Sequence, residues 1–460
     1  MGLLVVALIA CALGSWIWYF LFRAPEYAAP ADPAEHFKYG SIARMRGFPL
    51  YVWEVLPEIF GEYLPGGLDS LGVLLEPNHA VPIGFGLRTV GYPGITPNCA
   101  LCHVGSYRRS AGATREIVLG APAHEFDFNG FNQFVVSCAG DPKFNGATLI
   151  RAVEKRHPLG FFEKAFYRWV LIPATRKQVL AGQPALGWAT NRPAPGPGRA
   201  DAFNRIKFTQ FKFPDDGSIG TSDYPPLWNQ AERAGLWLHW NGSGNVIGQE
   251  NMLSALQVIG DARAFDAASF ARMTNFIRTL PSPGFPFPVN EAASKAGRVL
   301  FQQQCADCHA FGSSRVGQTT PLREIGTDPY FLRMWTTNFV TTLNAIDQPP
   351  FRFGSIRVSD GYVNTPLDGC WMRAPYLHNG SVPTLWDLLQ PASGRPKQFY
   401  RGNNVCDPVK VGFLGDVIGD ASSRFAFDTT LPGNGNQGHE YGTALSDAEK
   451  HTLIEYLKTL

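Results

Sequence analysis

Charge is scarce in this chain and almost balanced. Of 460 residues only 17% are charged, and 40 basic against 38 acidic side chains leave a formal charge of +2. That balance gives no strong electrostatic case, from net charge, for binding nucleic acid or an acidic membrane surface. Methionine is also scarce, at six residues, so thioether sulfur competes weakly wherever a soft metal ligand is needed. Gly and Pro are plentiful, 48 and 36 residues. A chain with so many breakers is loop-rich, and its loops must order around something other than a regular sheet. Its length suffices for two domains with substantial cores.

Four of the eight cysteines supply an ordering element. Cys99-Ala-Leu-Cys102-His103 and Cys305-Ala-Asp-Cys308-His309 both have the C-x-x-C-H form of a covalent c-type haem site. Two thiols add to the porphyrin vinyl groups, and the adjacent histidine gives the iron a proximal imidazole. A redox dithiol or half of a zinc site also uses C-x-x-C. Two copies, each followed at once by histidine, favour two haems. Of the other cysteines, Cys370 and Cys406 flank a loop and are either a disulfide or two buried thiols. Cys138 reads as a small buried hydrophobe, and Cys11 lies in the N-terminal apolar segment.

That segment, Gly2–Leu21, is nearly unbroken in apolar residues and long enough to span a bilayer. A cleaved signal peptide would have a shorter apolar region behind a basic start. Leu8-Ile9-Ala10-Cys11 resembles a lipoprotein box, yet apolar residues continue beyond it. The expectation is an uncleaved transmembrane anchor that places the haems on the periplasmic side of a bacterial inner membrane. A secreted form and a lipoprotein are the alternatives. Helices are expected near Phe128–Ser137 and over Ala147–Leu180, the latter interrupted at His157-Pro158 and Pro173.

Two short repeats follow each motif in the same order. Leu238-His239-Trp240-Asn241-Gly242-Ser243 is echoed by Leu377-His378-Asn379-Gly380-Ser381, and Phe276-Ile-Arg-Thr-Leu280 by Tyr456-Leu-Lys-Thr-Leu460. Shared order indicates duplication. The expected organisation is a membrane anchor or signal segment (1–23), an N-terminal cytochrome c-like domain (24–280), a Pro-rich linker (281–289) and a C-terminal cytochrome c domain (290–460). The expected fold is mostly α: two class I cytochrome c-like domains, loop-rich, each with one covalent haem, plus the N-terminal transmembrane helix. In the second domain Gly297 lets the closing helix cross closely, and Ser446-Asp-Ala-Glu449 reads as its capping box.

The sixth ligand decides whether a haem iron is open. His439 stands just before the capping box and has no counterpart in the first repeat, which makes it the candidate sixth ligand of the second haem. Met334 and Met372 compete weakly. For the first haem the candidates are His124, Met252 or none. His239 and His378, in matching loops, read as rim groups at the haem edge. Phe203, Phe208, Phe211 and Phe213 could wall an apolar pocket.

Arg373-Ala-Pro375-Tyr-Leu-His378-Asn-Gly-Ser-Val-Pro-Thr-Leu385 resembles the haem loop of the bacterial dihaem cytochrome c peroxidase superfamily, which includes the MauG-type enzymes. Gly198-Arg199-Ala-Asp-Ala-Phe203-Asn204, Pro226-Leu-Trp-Asn-Gln230 and Gly438-His439-Glu-Tyr-Gly-Thr443 look closest to its rubber oxygenase branch. The resemblance implies two haem c groups and a calcium ion, with the backbone carbonyls of Arg373 and Pro375 matching positions that bind it. It also implies an inter-haem tryptophan, for which Trp188 is the candidate, and a distal pocket that Phe203 could match. Arg199 matches a cofactor-contacting stretch.

Three functions stay open. One is an oxidoreductase whose second haem passes electrons from a small carrier protein to a first haem that meets peroxide or dioxygen. The second is an oxygenase cleaving an apolar substrate, and the third is an electron carrier without chemistry of its own.

Overall fold

The computed structural model describes residues 5, 7–9, 11–16, 30–77, 79–259, 262–415 and 425–460. Helix takes up 43% of the structure and strand 13%, which corrects the expected fold. Short helices are joined by many small antiparallel ladders, because breakers limit each element to a few residues. The lead-in to the first motif, for instance, is not irregular. It holds helix α1 (Pro33–Tyr39) and a three-stranded sheet in the order Phe48–Pro49, Pro93–Pro97, Phe85–Thr89.

The expected transmembrane helix is also corrected. No helix among the described residues is long and apolar enough to cross a membrane. The described part of Gly2–Leu21 reaches only to Trp16, whose ring meets Phe162 and Phe166 at 6.2 and 5.8 Å. A bilayer crossing needs about 20 helical residues, whereas this stretch runs onto the protein's own aromatic surface. The rest of the segment lies outside the described residues.

The first motif forms the short helix α2 (Ala100–His103), followed by α3 (Phe128–Gly140). Next comes one continuous helical rod: α4 (Phe161–Phe166), a π turn (Tyr167–Leu171) and α5 (Ile172–Gly182). The break at His157-Pro158 is present. At Pro173 the chain stays helical, but the α ladder gives way to the π turn Tyr167–Leu171 just before it. Beyond α6 (Ile247–Ile259) lies α7 (Glu291–Gln304), which leads into the second motif helix α8 (Ala306–His309). Helix α9 (Thr337–Asn344) and the closing helix α10 (Asp447–Leu457) follow, with other helices such as Gly146–Val153 and Ala267–Arg278 between those named.

Helices α7 and α10 cross as the residues predict. A Cβ on Gly297 would strike the Thr452 carbonyl, so only glycine permits this approach. The Ser446/Glu449 capping box forms, and Leu453, Ile454 and Leu457 are buried. Residues 281–289 are pinned rather than free. Phe285 packs on Trp371 at 5.8 Å, and the Trp371 indole donates to the Pro283 carbonyl at 2.9 Å.

Three apolar clusters hold the fold. One, with Trp53, Phe60, Phe85, Phe126 and Phe144, surrounds the first motif. Another, with Phe301, Trp371 and Leu453, surrounds the second. The third joins Phe203, Ile206 and Leu253 from the first half to Phe331, Trp335 and Phe339 from the second. Burying each such ring contributes about 2–3 kcal/mol, so the halves are fastened through a common core. Cys370 and Cys406 are both buried free thiols, and the Cys370 sulfur donates to the Leu457 carbonyl at 3.2 Å.

Candidate functional site

Asn98, fully buried, sets the first motif. Its side-chain oxygen accepts from the Ala100 N–H at 2.8 Å and its amide donates to the Gly40 carbonyl at 2.8 Å. His103 Nδ1 bonds the Pro225 carbonyl at 2.9 Å. That contact fixes the tautomer and leaves Nε2 to face a metal. Burial pulls His103 down to about 4, so the imidazole is neutral, as a ligand must be. Burial also pushes Cys99 and Cys102 up to about 11 and 12.

These three side chains open onto a cavity of about 1200 Å³ that also meets Trp53, Phe85, Phe203, His239 and Glu250. Ordinary ligand pockets run to about 1000 Å³, so the space fits a macrocycle and the donor set fits a covalent haem. Phe203 packs against Trp335 at 4.6 Å and His239 at 5.6 Å. His239 Nε2 lies 3.1 Å from Glu250 Oε2, and the Ser243 hydroxyl donates to that oxygen at 3.2 Å. Burial raises Glu250 to about 7 and lowers His239 to about 4. Near neutral pH the pair therefore holds one proton on the carboxyl beside a neutral imidazole, rather than an ion pair. Glu250 Oε1 is buried with no hydrogen-bond partner. The sequence reading missed Glu250; its only signal was a carboxylate on the otherwise half-apolar face of α6.

His124, Glu125 and Asp127, which follow the first motif in sequence, are occupied elsewhere. His124 stacks on Phe413 at 3.8 Å and is not among the cavity residues. Glu125 receives Arg115 at 3.1 Å and Asn404 at 2.7 Å, and Asp127 caps α3. Trp188 lines the cavity, with Phe208 at 5.4 Å and the Arg192 guanidinium at 5.2 Å from its ring.

The two NGS loops match in a register that the sequence misaligned. Leu238 bridges Gly244 as Tyr376 bridges Val382. His239 and Leu377 share the left-handed region (φ 58° and 68°), as do Gly242 and Gly380 (64° and 59°). His239 thus answers Leu377, and Trp240 answers His378, so the two histidines are not equivalent. His378 stacks on Tyr362 at 4.0 Å, and its Nε2 shares a 2.9 Å hydrogen bond with the Tyr362 hydroxyl. Between the loops lies a buried charge cluster. Arg401 donates to Asp223 at 2.7 Å, and Arg199 donates to Asn434 at 2.9 Å. Burial and the nearby Arg401 bring Arg199 down to about 9, while burial lifts Asp223 to about 6.

At the second motif His309 Nδ1 bonds the Thr365 carbonyl at 2.7 Å. Its ring centroid lies 6.1 Å from that of His439. Metal–imidazole bonds are about 2 Å, so the gap accommodates one ion bonded to both rings. Burial, and after it His309, push His439 down to about 3. His439 stands at φ 49°, its N–H donating to Ile325 at 2.8 Å, while Arg395 ties the Gly438 carbonyl at 2.8 Å. Met334 lies in the shared core. Among the described residues no group of three or more His, Cys, Asp or Glu could hold a further metal ion. The Arg373 guanidinium donates to Pro366 at 2.8 Å and to Asp368 at 2.8 Å.

Two C-x-x-C-H turns with half-buried neutral imidazoles, each aimed by a backbone carbonyl, have the chemistry of a haem c protein. A family model described as RoxA-like, cytochrome c-like matches residues 361–401, the span that holds Thr365, Arg373, Pro375 and His378. The chain is therefore a haem c-binding, cytochrome c-like protein of the haem-dependent oxidoreductase type. It is 31% identical over 304 residues to the uncharacterized protein y4iM of Sinorhizobium fredii (strain NBRC 101917 / NGR234), covering 56% of this chain and 69% of y4iM. Over 118 residues it is 48% identical to the uncharacterized protein y4iJ of the same strain, covering 24% of this chain and 19% of y4iJ. The chain belongs to the family of y4iM.

Proposed function

We propose that the chain is a periplasmic two-haem c oxidoreductase in which the second haem passes electrons to a first haem that reduces peroxide. One asymmetry carries this reading: His309 faces a second imidazole at 6.1 Å, whereas His103 opens onto the 1200 Å³ cavity. Bound haem iron supplies one-electron redox chemistry and, where a coordination position is free, a site for a small oxygen species. Cys99 and Cys102 would attach the first haem and His103 would supply a ligand to its iron. Glu250, protonated near neutral pH beside His239, is placed to give a proton to a leaving oxygen. Phe203 and Phe331 give the cavity apolar wall beside that pair. His309 and His439 would hold the second haem's iron, leaving it to electron transfer.

Thr365 supports a short route between the centres. Its carbonyl holds His309, and both it and Pro366 line the first cavity. A small carrier protein would supply the electrons, and calcium would bind at the carbonyls of Arg373 and Pro375. The aromatic wall of Phe203 and Phe331, backed by Trp335 behind Phe203, favours a second reading, dioxygen addition to an apolar substrate. Two assays separate them: peroxide with a reduced cytochrome c, and oxygen with polyisoprene. Donor oxidation at the enzyme-free rate, together with oxygen-dependent polymer cleavage, would replace the first reading by the second.

A further inference from the structure

The rod formed by α4, the π turn and α5 buries one side in the first apolar cluster through Phe166, Tyr167, Leu171 and Ile172. Its other side is apolar as well, yet among the described residues nothing covers most of it. Phe161, Phe162, Trp169 and Val170 are exposed by 81%, 61%, 72% and 49%, and Pro173 and Ala174 extend the band. Exposed rings so close together on one element indicate a contact surface rather than isolated surface apolar residues.

Two observations say what the contact is. The first is charge. Residues 151–177 hold seven Lys and Arg against two Asp and Glu, a local excess of +5 in a chain whose total is +2. Arg168 and Lys177 are exposed on the rod itself, and the Arg168 guanidinium lies 5.1 Å from the Trp169 ring. The second is continuity. Trp16, at the end of the described apolar N-terminal stretch, is seated on Phe162 and Phe166. Tryptophan beside cations, with an apolar band between, is the composition of a helix lying in a lipid headgroup layer. A protein partner would not require the flanking cations.

We propose that the rod Phe161–Gly182 is an interfacial element that rests the haem protein on an anionic lipid surface. It lies in the headgroup layer, with Phe161, Phe162 and Trp169 inserted and Arg168 and Lys177 facing the lipid phosphates. Thr175, Gln178, Val179 and Gly182 of the same rod line the haem cavity, whereas Phe161, Phe162, Arg168, Trp169 and Lys177 do not, and the proposal does not depend on the reaction assigned there.

The test is co-sedimentation of the full-length holoprotein with vesicles of phosphatidylcholine, with and without phosphatidylglycerol. A triple variant, Phe161→Ser, Phe162→Ser and Trp169→Ser, should bind anionic vesicles roughly tenfold more weakly or worse. Its haem absorbance and unfolding midpoint should stay at wild-type values, since the three side chains are mostly in solvent. Arg168→Glu with Lys177→Glu should abolish the preference for the anionic vesicles. A wild-type protein that stays in the supernatant would overturn the proposal, as would equal binding by the triple variant. So would gel filtration showing a dimer that the triple variant dissociates, because the band would then belong to a second copy.

Discussion

Glu250→Gln probes the cavity most sharply, because the carboxyl lies in it and carries an unusual proton affinity. Burial moves this group from 4.5 to about 7 in the folded protein. Between those values the folded chain binds more protons than the unfolded one, so stability falls as pH rises. The loss begins near pH 4.5 and is complete a little above 7. Its size is about 3 kcal/mol, from 1.36 kcal/mol for each pH unit. Glutamine has no such proton. His239, held at about 4, acts with the opposite sign, losing stability as pH falls below its unfolded value, but both proteins carry it and it cancels. Urea unfolding of wild type and Glu250→Gln at pH 4.5, 6 and 8 should show the variant gaining on wild type by about 3 kcal/mol across the series. The same variant should slow peroxide turnover by about two to four orders of magnitude, the contribution of a positioned acid–base group. A pH-independent stability difference would refute the assignment of the proton to Glu250.

His439→Ala should convert the second haem to high spin and leave the first unchanged, as read by low-temperature EPR. Gly297→Ala, which drives a methyl into the Thr452 carbonyl, should cost about 1–3 kcal/mol in urea unfolding. Denatured, unreduced full-length holoprotein should show four reactive thiols, at Cys11, Cys138, Cys370 and Cys406. Two would mean that Cys370 and Cys406 pair after all.

What the residues disclosed follows from how local each signal is. The haem motifs are contiguous because two thioethers and one ligand must serve a single macrocycle. The capping box and Gly297 are likewise local, and α7 and α10 cross where they say. His439 was singled out by its lack of a counterpart, and its ring does face His309. Non-local features were hidden. Glu250 reaches His239 only because α6 folds back over the NGS loop, and Asn98 is pinned by a carbonyl of residue 40. The two NGS loops were aligned on their histidines, whereas backbone handedness aligns His239 with Leu377. Cavity membership could not be read from proximity in sequence either: His124 is 21 residues past His103 yet turns onto Phe413, while Phe203 arrives from a hundred residues away. Shared apolar residues between the halves were equally invisible, since a buried phenylalanine does not name its neighbour.

The asymmetry between the two centres is the claim on which the rest depends. EPR of the oxidised full-length holoprotein, with resonance Raman of its ferrous form, reads it directly. One low-spin bis-imidazole haem and one high-spin haem with an open position are predicted, the first pairing His309 with His439 and the second held by His103. Two six-coordinate low-spin haems would contradict the account and leave a carrier of electrons.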